Sequence, residues 1–122
     1  MYDIGTDIIE VDRIRELIKK YDLRFLNKVF TDNEIIYCME KRDPSIHFAG
    51  KFSAKEAIRK AISSSYSDIL LPLNEINIKN DKKGRPFLEN SKIDSKFINI
   101  SISHTNDYAI SFAILMLDDK YS

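Results

Sequence analysis

The stretch that decides the fold is AGKFSAKEAIRKA at residues 49–61. Its apolar side chains recur three or four residues apart, which is the spacing of one face of an α-helix. That face consists of Ala54, Ala57, Ile58 and Ala61. Because most of these side chains are alanines, another element can approach the helix closely, and we expect this face to lie in the core. Phe52, Glu56 and Lys60 follow one turn apart on a neighbouring face.

Two further helix signals precede this stretch. The sequence DPS at residues 43–45 predicts the start of the same helix, since proline suits the first turn. From there to Ile62 only Gly50 is an interior helix breaker, so we expect this helix to be the longest in the chain. Earlier, TDNE at residues 31–34 has the spacing of a capping box and predicts a helix that ends near Lys41.

The N-terminal segment combines a strand with another helix. Residues 2–9 alternate Ile and Thr with Asp and Gly, which predicts a short strand with Asp7 near its end. Asp12 is the expected N-cap of the helix that follows. The apolar stripe of that helix comprises Val11, Ile14, Leu17, Ile18 and Tyr21.

The second half of the chain changes from helical to alternating periodicity and predicts a sheet. Strands are expected at residues 74–79, 87–88, 97–103 and 108–117, with turn chemistry at 80–86 and 104–107. The last strand is apolar at almost every position, so we expect both of its faces to be buried. A chain this small has few elements to cover that strand, which predicts a homo-oligomer.

Composition excludes several classes of protein. The chain has 122 residues, 43% of them hydrophobic, which predicts one folded domain over residues 1–122 rather than a disordered segment. The longest apolar run, residues 109–117, is about half of what a membrane-spanning helix needs, and the N-terminus does not resemble a secretory signal. We therefore expect a cytoplasmic protein that does not bind membranes. Cys38 is the only cysteine, so a metal would depend on carboxylates rather than on a cysteine-rich zinc site.

Charge is balanced overall but uneven locally. The 19 basic and 19 acidic residues give zero net charge, which argues against a protein that grips nucleic acid over many phosphates. Residues 13–28, by contrast, hold six basic and two acidic side chains. This local excess of positive charge suits an acidic partner.

Asp7 and Glu56 are the candidate metal ligands. Each carboxylate lies at the edge of an apolar pattern, and a divalent ion would compensate two such partly buried charges. Mg²⁺ prefers one or two carboxylates, with water and phosphate oxygens in its other positions. Lys60, one turn after Glu56, could neutralise phosphate beside that ion. The alternative is an ordinary ion pair between Glu56 and Lys60 on a solvated face, with Asp7 merely ending a strand.

Polar groups also crowd the end of one predicted strand. Ser101, Ser103, His104 and Thr105 could bind phosphate or ribose, although a hairpin with polar turn residues explains the same pattern. A hydrolytic serine is not expected, because the chain has no G-x-S-x-G elbow and neighbouring side chains of a strand point to opposite faces.

Other basic residues are candidates for anion binding. GRP at residues 84–86 predicts either a rigid corner that presents Arg85 to an anion or an everyday turn. Lys41, Arg42 and Lys51 could bind further phosphates or be solvated charges. His47 has no metal-ligand partner at a recognisable spacing, so we expect it to be structural.

Four sequence blocks, taken together, resemble a known family. The blocks are GTDIIEVDRI at residues 5–14, FLNKVFTDNE at 25–34, AGKFSAKEAIRKA at 49–61 and SISHT at 101–105. In this order and spacing they resemble the small bacterial holo-[acyl-carrier-protein] synthases of the 4′-phosphopantetheinyl transferase family. The resemblance implies an α+β fold, with an antiparallel sheet packed against one long helix and shorter N-terminal helices, in a homotrimer. One departure is ISSSY at residues 62–66, where the family usually carries glycines.

The resemblance implies an enzyme of fatty acid biosynthesis. Such an enzyme moves the phosphopantetheine arm of coenzyme A onto a serine of apo acyl carrier protein and releases adenosine 3′,5′-bisphosphate. Asp7 and Glu56 would hold Mg²⁺ against the coenzyme A pyrophosphate, while the serine attacks the β-phosphorus. Glu56 would accept the serine proton, directly or through a metal-bound water, and Lys60 would offset phosphate charge.

The resemblance also implies sites between two protomers of the trimer. The residues that would contact coenzyme A across that boundary are Arg85, Pro86, Ser103, His104 and Thr105. Lys41, Arg42 and Lys51 are candidates for its 3′-phosphate. The residues expected to dock the acidic carrier protein are Arg13, Leu17, Lys20, Arg24 and Phe25. This docking surface includes part of the basic segment described above.

Two rival interpretations remain from the residues themselves. The first is a non-enzymatic module that binds an acidic partner through residues 13–28 and needs no metal. The second is a weak binder of single-stranded RNA that uses Phe and Tyr on the sheet, which the zero net charge disfavours.

Overall fold

Helices pack on one face of an antiparallel sheet in the computed structural model, which describes residues 1–65, 71–90 and 97–116. The elements are β1 (Tyr2–Glu10), α1 (Val11–Tyr21), α2 (Leu23–Val29), α3 (Asp32–Met39), α4 (Pro44–Ser65), a 3₁₀ turn (Leu73–Glu75), β2 (Asn77–Asn80), β3 (Pro86–Glu89), β4 (Ile98–His104) and β5 (Tyr108–Met116). The predicted α+β class is confirmed. No helix in the three described ranges is long and apolar enough to cross a membrane.

β5 is the central strand of a three-stranded sheet with the order β1-β5-β4. It pairs antiparallel with both neighbours, so that Asp7 of β1 lies opposite Ser111 and His104 of β4 lies opposite Ala109. β2 and β3 form a second, two-stranded antiparallel sheet, joined by the turn predicted at residues 80–86. The antiparallel pairing expected for the second half of the chain is therefore confirmed.

α4 covers one face of the three-stranded sheet with its alanine-rich side. All four residues predicted for that side are fully buried. β1 approaches α4 closely at Gly5, where a Cβ atom would lie 1.9 Å from the carbonyl oxygen of Ala57. A glycine at this position therefore lets β1 rest directly on α4. The contact also turns Asp7 toward α4, because Asp7 lies two residues further along the same face of β1.

The capping box at the start of α3 is confirmed, but its glutamate has a second role. Glu34 Oε1 accepts a hydrogen bond from the Thr31 N–H at 2.8 Å. The same carboxylate is completely buried, accepts from the Ile78 N–H at 2.7 Å and pairs with Lys55 Nζ at 2.6 Å. Lys55 is also completely buried and donates to the Val29 carbonyl at 2.8 Å. This ion pair ties α2, α3, α4 and β2 together.

The helices differ from prediction at several ends. α1 begins directly after Glu10, so Asp12 lies in its first turn rather than at its N-cap. The sequence does not predict α2, because its 7 residues are too few to establish a helical period. α4 continues through Ser65, across positions where the resemblance suggests glycines. Tyr66, the last residue of that departure, lies outside the described residues.

α3 and β2 are both shorter than predicted. α3 ends at Met39 rather than near Lys41. β2 begins at Asn77, because the preceding residues form the 3₁₀ turn, in which one N–H donates to the Pro72 carbonyl at 3.0 Å. α3 thus ends with the last apolar residue before Glu40, whereas the 3₁₀ turn takes the residues that precede β2.

Within a single chain, β5 is buried on one face only, so burial of its other face by another subunit stays a prediction. Its inward side chains, beginning with Ala109 and Ser111, pack under α4. Its outward side chains remain exposed in the single chain, with Ile110 at 45% and Phe112 at 40%. Alternation along a strand sends successive side chains to opposite faces, and α4 covers only one of them. Leu117, the predicted end of the strand, lies outside the described residues.

Candidate active site

Asp7 projects from β1 toward α4. Lys60 donates a hydrogen bond to Asp7 Oδ1 at 3.3 Å and another to the Thr6 carbonyl at 3.0 Å. The Asp7 side chain is 18% exposed and therefore only partly buried. β1 continues to Glu10, so Asp7 lies inside the strand rather than at its end. Lys60 thereby joins the edge of β1 to α4.

Glu56 lies on α4 between Ser53 and Lys60, which share its side of the helix at spacings of three and four residues. Lys60 contacts Asp7, and the Ser53 hydroxyl is hydrogen-bonded to the hydroxyl of Ser111, the β5 residue opposite Asp7. Asp7 therefore contacts α4 one helical turn after Glu56, while the contact that the structure gives for the Glu56 carboxylate is with Arg59. That the two carboxylates share one ion stays a prediction.

Asp7 and Glu56, here called the carboxylate pair, suit a hard cation with an open coordination shell. The Glu56 side chain is 29% exposed and pairs with Arg59 at 3.4 Å, so water and a phosphate can reach it. Among the residues that the structure describes, no group of three or more His, Cys, Asp or Glu could hold a metal ion. One or two carboxylates are what Mg²⁺ takes from a protein when water and phosphate oxygens fill its other positions.

A pocket of about 160 Å³ opens between α3, α4, the β2–β3 hairpin and β4. Its lining consists of Tyr37, His47, Gly50, Lys51, Asn80, Gly84, Pro86, Ile102 and His104. We call this site the cationic pocket. Lys51, Pro86 and His104 thus line the same pocket within a single chain. The sequence analysis places all three in anion or coenzyme A binding.

Lys51 brings a nearly buried positive charge to the cationic pocket. The residue is 3% exposed, and its Nζ atom donates to the Ile78 carbonyl at 2.8 Å and to Asn80 Oδ1 at 2.7 Å. Burial lowers the pKa of this ammonium group. Lys41 adds a second charge nearby, since Nζ atoms of Lys41 and Lys51 lie 4.4 and 4.6 Å from the centre of the Tyr37 ring.

Two histidines face each other beside these lysines. The ring centres of His47 and His104 are 5.5 Å apart, and the Tyr37 ring lies 6.4 Å from His47. Burial lowers the pKa of His47, and the neighbouring positive charges of His104 and Lys41 lower it further. His47 is therefore a pocket residue, rather than the purely structural one that the sequence suggested.

The sequence analysis missed Tyr37 as well as His47. His47 precedes the candidate Lys51 by one turn of α4, a spacing that places two side chains on one face of a helix. A search for polar residues one turn from each candidate anion ligand would have found it. Tyr37 stands four residues before Lys41, which follows the end of α3.

The predicted corner at residues 84–86 is confirmed as a tight hairpin turn. Asp81 Oδ1 accepts hydrogen bonds from the N–H groups of Lys83 and Arg85, each at 2.9 Å. Gly84 adopts a φ of 84°, which favours glycine. Arg85 is exposed at the rim of a second groove, which Pro86 and residues of β4 also line.

The end of β4 separates residues that the sequence analysis grouped together. Ser103 is exposed on the outer face of the sheet, whereas His104 lines the cationic pocket. Thr105 holds the β4–β5 turn, because its Oγ1 atom accepts from the N–H groups of Asp107 at 3.1 Å and Tyr108 at 3.0 Å. A single chain therefore presents only His104 of this group to the pocket.

The predicted docking surface lies on α1 and α2. Its basic members Arg13, Lys20 and Arg24 are exposed, and its apolar members Leu17 and Phe25 are partly buried. Arg15 belongs to the same basic segment, but its guanidinium group is paired with Asp43. Its Nη1 and Nη2 atoms donate to that carboxylate at 3.1 and 3.3 Å. Arg42, next to Asp43, is exposed.

Known proteins share this sequence pattern and this architecture. The family model described as the 4′-phosphopantetheinyl transferase superfamily matches residues 3–113. This chain belongs to that superfamily. The holo-[acyl-carrier-protein] synthase of Protochlamydia amoebophila is 45% identical over 116 residues, which cover 91% of this chain and 94% of that relative.

Solved structures of holo-[acyl-carrier-protein] synthases superpose on this transferase. The Bacillus anthracis enzyme in complex with CoA (3′,5′-ADP) is 30% identical, with a TM-score of 0.75 and coverage of 93% of this chain and 94% of that one. The Helicobacter pylori enzyme in complex with coenzyme A is 29% identical, with a TM-score of 0.75 and coverage of 92% and 98%. The family and the enzyme class inferred from the four sequence blocks are confirmed.

In this phosphopantetheinyl transferase the order of the blocks has a spatial meaning. Blocks 5–14 and 49–61 meet where β1 lies on α4 and Lys60 contacts Asp7. Blocks 49–61 and 101–105 meet where Lys51 and His104 line the cationic pocket. α4 therefore connects the two parts of the candidate site.

Proposed function

We propose that this protein transfers the 4′-phosphopantetheine arm of coenzyme A to a serine of apo acyl carrier protein, with release of adenosine 3′,5′-bisphosphate. The observation that supports the proposal is the contact of β1 with α4, in which Asp7 pairs with Lys60, one helical turn after Glu56. The names of the relatives support it, since they describe holo-[acyl-carrier-protein] synthases and coenzyme A complexes. The reaction belongs to fatty acid biosynthesis in the cytoplasm, with residues 1–122 acting as one domain.

The cationic pocket supports the binding of a phosphate-rich substrate. Coenzyme A carries a pyrophosphate and a 3′-phosphate, and Lys41 and Lys51 supply positive charge beside the pocket. We assign the 3′-phosphate to these two lysines and to Arg42. The buried hydrogen bonds of Lys51 hold its ammonium group in place, so little side-chain entropy is lost when the anion binds.

The carboxylate pair would hold Mg²⁺. When bound there, the ion supplies charge that polarises the pyrophosphate and neutralises the leaving phosphate. Glu56 accepts the proton of the attacking serine, whose Oγ forms a bond to the β-phosphorus. The bond from that phosphorus to the bridging oxygen breaks, and its electron pair leaves with adenosine 3′,5′-bisphosphate. Lys60 offsets the negative charge of the phosphates beside Asp7.

The active enzyme is a homotrimer in this proposal. The uncovered face of the sheet bears large apolar side chains, which are Tyr2, Ile4, Ile8, Ile110, Phe112 and Met116. A contiguous apolar face of this kind favours contact with another protein surface. Ser103 shares that face, and Arg85 and Pro86 line a groove beside β4. We assign these three residues and Thr105 to coenzyme A contacts across the protomer boundary.

The carrier protein docks on α1 and α2. Exposed Arg13, Lys20 and Arg24 attract an acidic protein, and the partly exposed side chains of Leu17 and Phe25 offer apolar contact between them. Attraction between exposed charges is screened by salt. Carrier binding should therefore weaken as ionic strength rises.

The decisive experiment measures the mass of the carrier. The purified protein is mixed with coenzyme A, Mg²⁺ and an apo carrier protein, and the expected result is a carrier that gains the mass of one phosphopantetheine group. Asp7→Asn and Glu56→Gln should each abolish the gain, and chelation of the metal should do the same. Carrier binding without any mass gain in the wild-type protein would instead favour the non-enzymatic module.

A further inference from the structure

His47 lies outside the four sequence blocks, yet it lines the cationic pocket. We infer that His47 couples phosphate binding in this pocket to proton uptake, so that its imidazole becomes charged when a phosphate monoester enters. The inference rests on the proposed function, because the monoester in question is the 3′-phosphate of coenzyme A. His47 acts here as a specificity residue and takes no part in the transfer of the phosphopantetheine group.

The position of His47 brings it into the same electrostatic environment as the bound phosphate. It stands one helical turn before Lys51 on α4, and both residues line the pocket. Its ring faces His104 of β4 at 5.5 Å and Tyr37 of α3 at 6.4 Å. A phosphate in a pocket of about 160 Å³ cannot lie far from this imidazole.

The charged groups around His47 keep it neutral before the phosphate binds. Lys41, Lys51 and His104 contribute positive charge, and together with burial they lower the pKa of His47. Asp43 is the acidic group that opposes this shift, but its carboxylate is already engaged by Arg15. The imidazole therefore enters the binding reaction without a proton at neutral pH.

A bound phosphate reverses the sign of the local field. A phosphate monoester is largely dianionic at pH 7, because its second pKa is about 6. An opposite charge nearby favours the protonated imidazole, so the pKa of His47 is higher in the complex than in the free protein. Linkage then requires that the contribution of His47 to phosphate affinity is fully present below its free-state pKa and is lost as the pH rises through its bound-state pKa.

The test uses the full-length protein and compares coenzyme A with 3′-dephospho-coenzyme A. Isothermal titration calorimetry in buffers of different ionisation enthalpy gives the number of protons taken up on binding. His47→Gln keeps a hydrogen-bonding side chain, whereas His47→Phe keeps an aromatic ring, and neither can titrate. With coenzyme A, both variants should take up fewer protons than the wild-type protein, because the group that gains the proton is gone. The dephospho ligand should show little uptake with any of the three proteins.

The affinity should follow the same pattern across pH. Each pKa unit that the phosphate adds to His47 corresponds to an approximately tenfold change in affinity between the charged and neutral forms. The ratio of wild-type to His47→Gln affinity should therefore fall as the pH rises from 6.5 to 8.5. The fall should be about tenfold for each unit by which the bound phosphate raises the pKa of His47. Since the ligand is the same for both proteins, titration of the phosphate itself cancels in the ratio.

NMR of the imidazole provides a measurement that needs no variant. The pKa of His47 in the wild-type protein should rise when coenzyme A is added and should stay unchanged with the dephospho ligand. Equal proton uptake in all three proteins, or equal shifts with both ligands, would overturn the role of His47 while leaving the transferase function intact. Failure of the wild-type protein to bind coenzyme A would overturn both proposals.

Discussion

α4 carries two lysines, five residues apart, that each pair with a carboxylate of another element. The two pairs differ in their surroundings. Lys55 and Glu34 are both completely buried, and the protein itself supplies further hydrogen-bond partners to each. Lys60 and Asp7 are 57% and 18% exposed, so water and a ligand can reach them. A buried pair with several internal partners serves the fold, whereas an accessible pair at an element contact is available for chemistry.

This difference is invisible in the local sequence. Both lysines occur in the same helical stretch, and Glu56 stands directly beside Lys55. What separates their roles is the layer that each faces: Lys55 points into the contacts among α2, α3 and β2, and Lys60 points to the edge of β1. Substitutions at these positions should therefore divide into those that affect folding and those that affect activity.

The largest expected effect is on activity, in Glu56→Gln. Loss of a general base lowers rates by about 10²–10⁴-fold. The stability should change little, because exposed ion pairs such as the one between Glu56 and Arg59 contribute about 1 kcal/mol or less. The rate of holo-carrier formation and the thermal unfolding midpoint are measured on the same preparation. Glu89→Gln, which removes an exposed carboxylate paired with Lys79, is the matched control and should leave both values unchanged.

The next effect is on stability, in Lys55→Met. This substitution leaves the Glu34 carboxylate buried without its cation, and breaking a buried pair in this way costs about 3–5 kcal/mol of unfolding free energy. Urea denaturation measures the loss. The double variant Lys55→Met with Glu34→Gln removes the stranded charge and should recover part of it. A single variant as stable as the wild-type protein would show that the pair does not hold the helices together.

Lys60→Met is the complementary test on the accessible pair. Its free energy of unfolding should change by no more than about 1 kcal/mol, since Lys60 is largely solvated. Loss of one charge beside the phosphates should nevertheless reduce kcat/KM roughly tenfold, which corresponds to about 1.4 kcal/mol of transition-state stabilisation. If Lys60→Met destabilised the fold as much as Lys55→Met, the contrast between the two pairs would be wrong.

The smallest effect concerns the exposed pair of Arg15 and Asp43. Hydrogen bonding to Arg15 lowers the pKa of Asp43. A lowered carboxylate pKa stabilises the folded state above the unfolded-state value of roughly 4, and the stabilisation is lost as the pH falls through the folded-state value. Arg15→Gln should therefore cost only a few tenths of a kcal/mol at pH 7, roughly the worth of an exposed pair. Urea unfolding at pH 7 and near pH 3 should show this difference disappearing in acid.

The features that were predicted correctly depend on neighbours within about one helical turn. The buried face of α4 follows from apolar spacing, and all of its predicted members are buried. The capping box of Thr31 and Glu34 forms as expected, and the hairpin turn around Gly84 follows from its turn residues. Such patterns are encoded locally, so the sequence is sufficient to read them.

The candidate site was only partly predictable. The sequence identified Asp7, Glu56 and Lys60 by their chemistry and by resemblance, but it could not show that Gly5 brings β1 against Ala57 and so sets Asp7 opposite α4. His47 was missed because its neighbours in the pocket come from α3 and β4, which are distant in sequence.

The sequence by itself determined the helices and strands other than α2, which side of α4 is apolar and which family the chain joins, because periodicity, caps and contiguous motifs involve near neighbours. Only the tertiary structure decided that Glu34 pairs with Lys55 in addition to capping α3, and that His47 faces His104. It also decided that one face of β5 is exposed in the single chain. These outcomes depend on contacts between residues far apart in the chain. Burial, and with it the energy of every charge, is a property of those contacts.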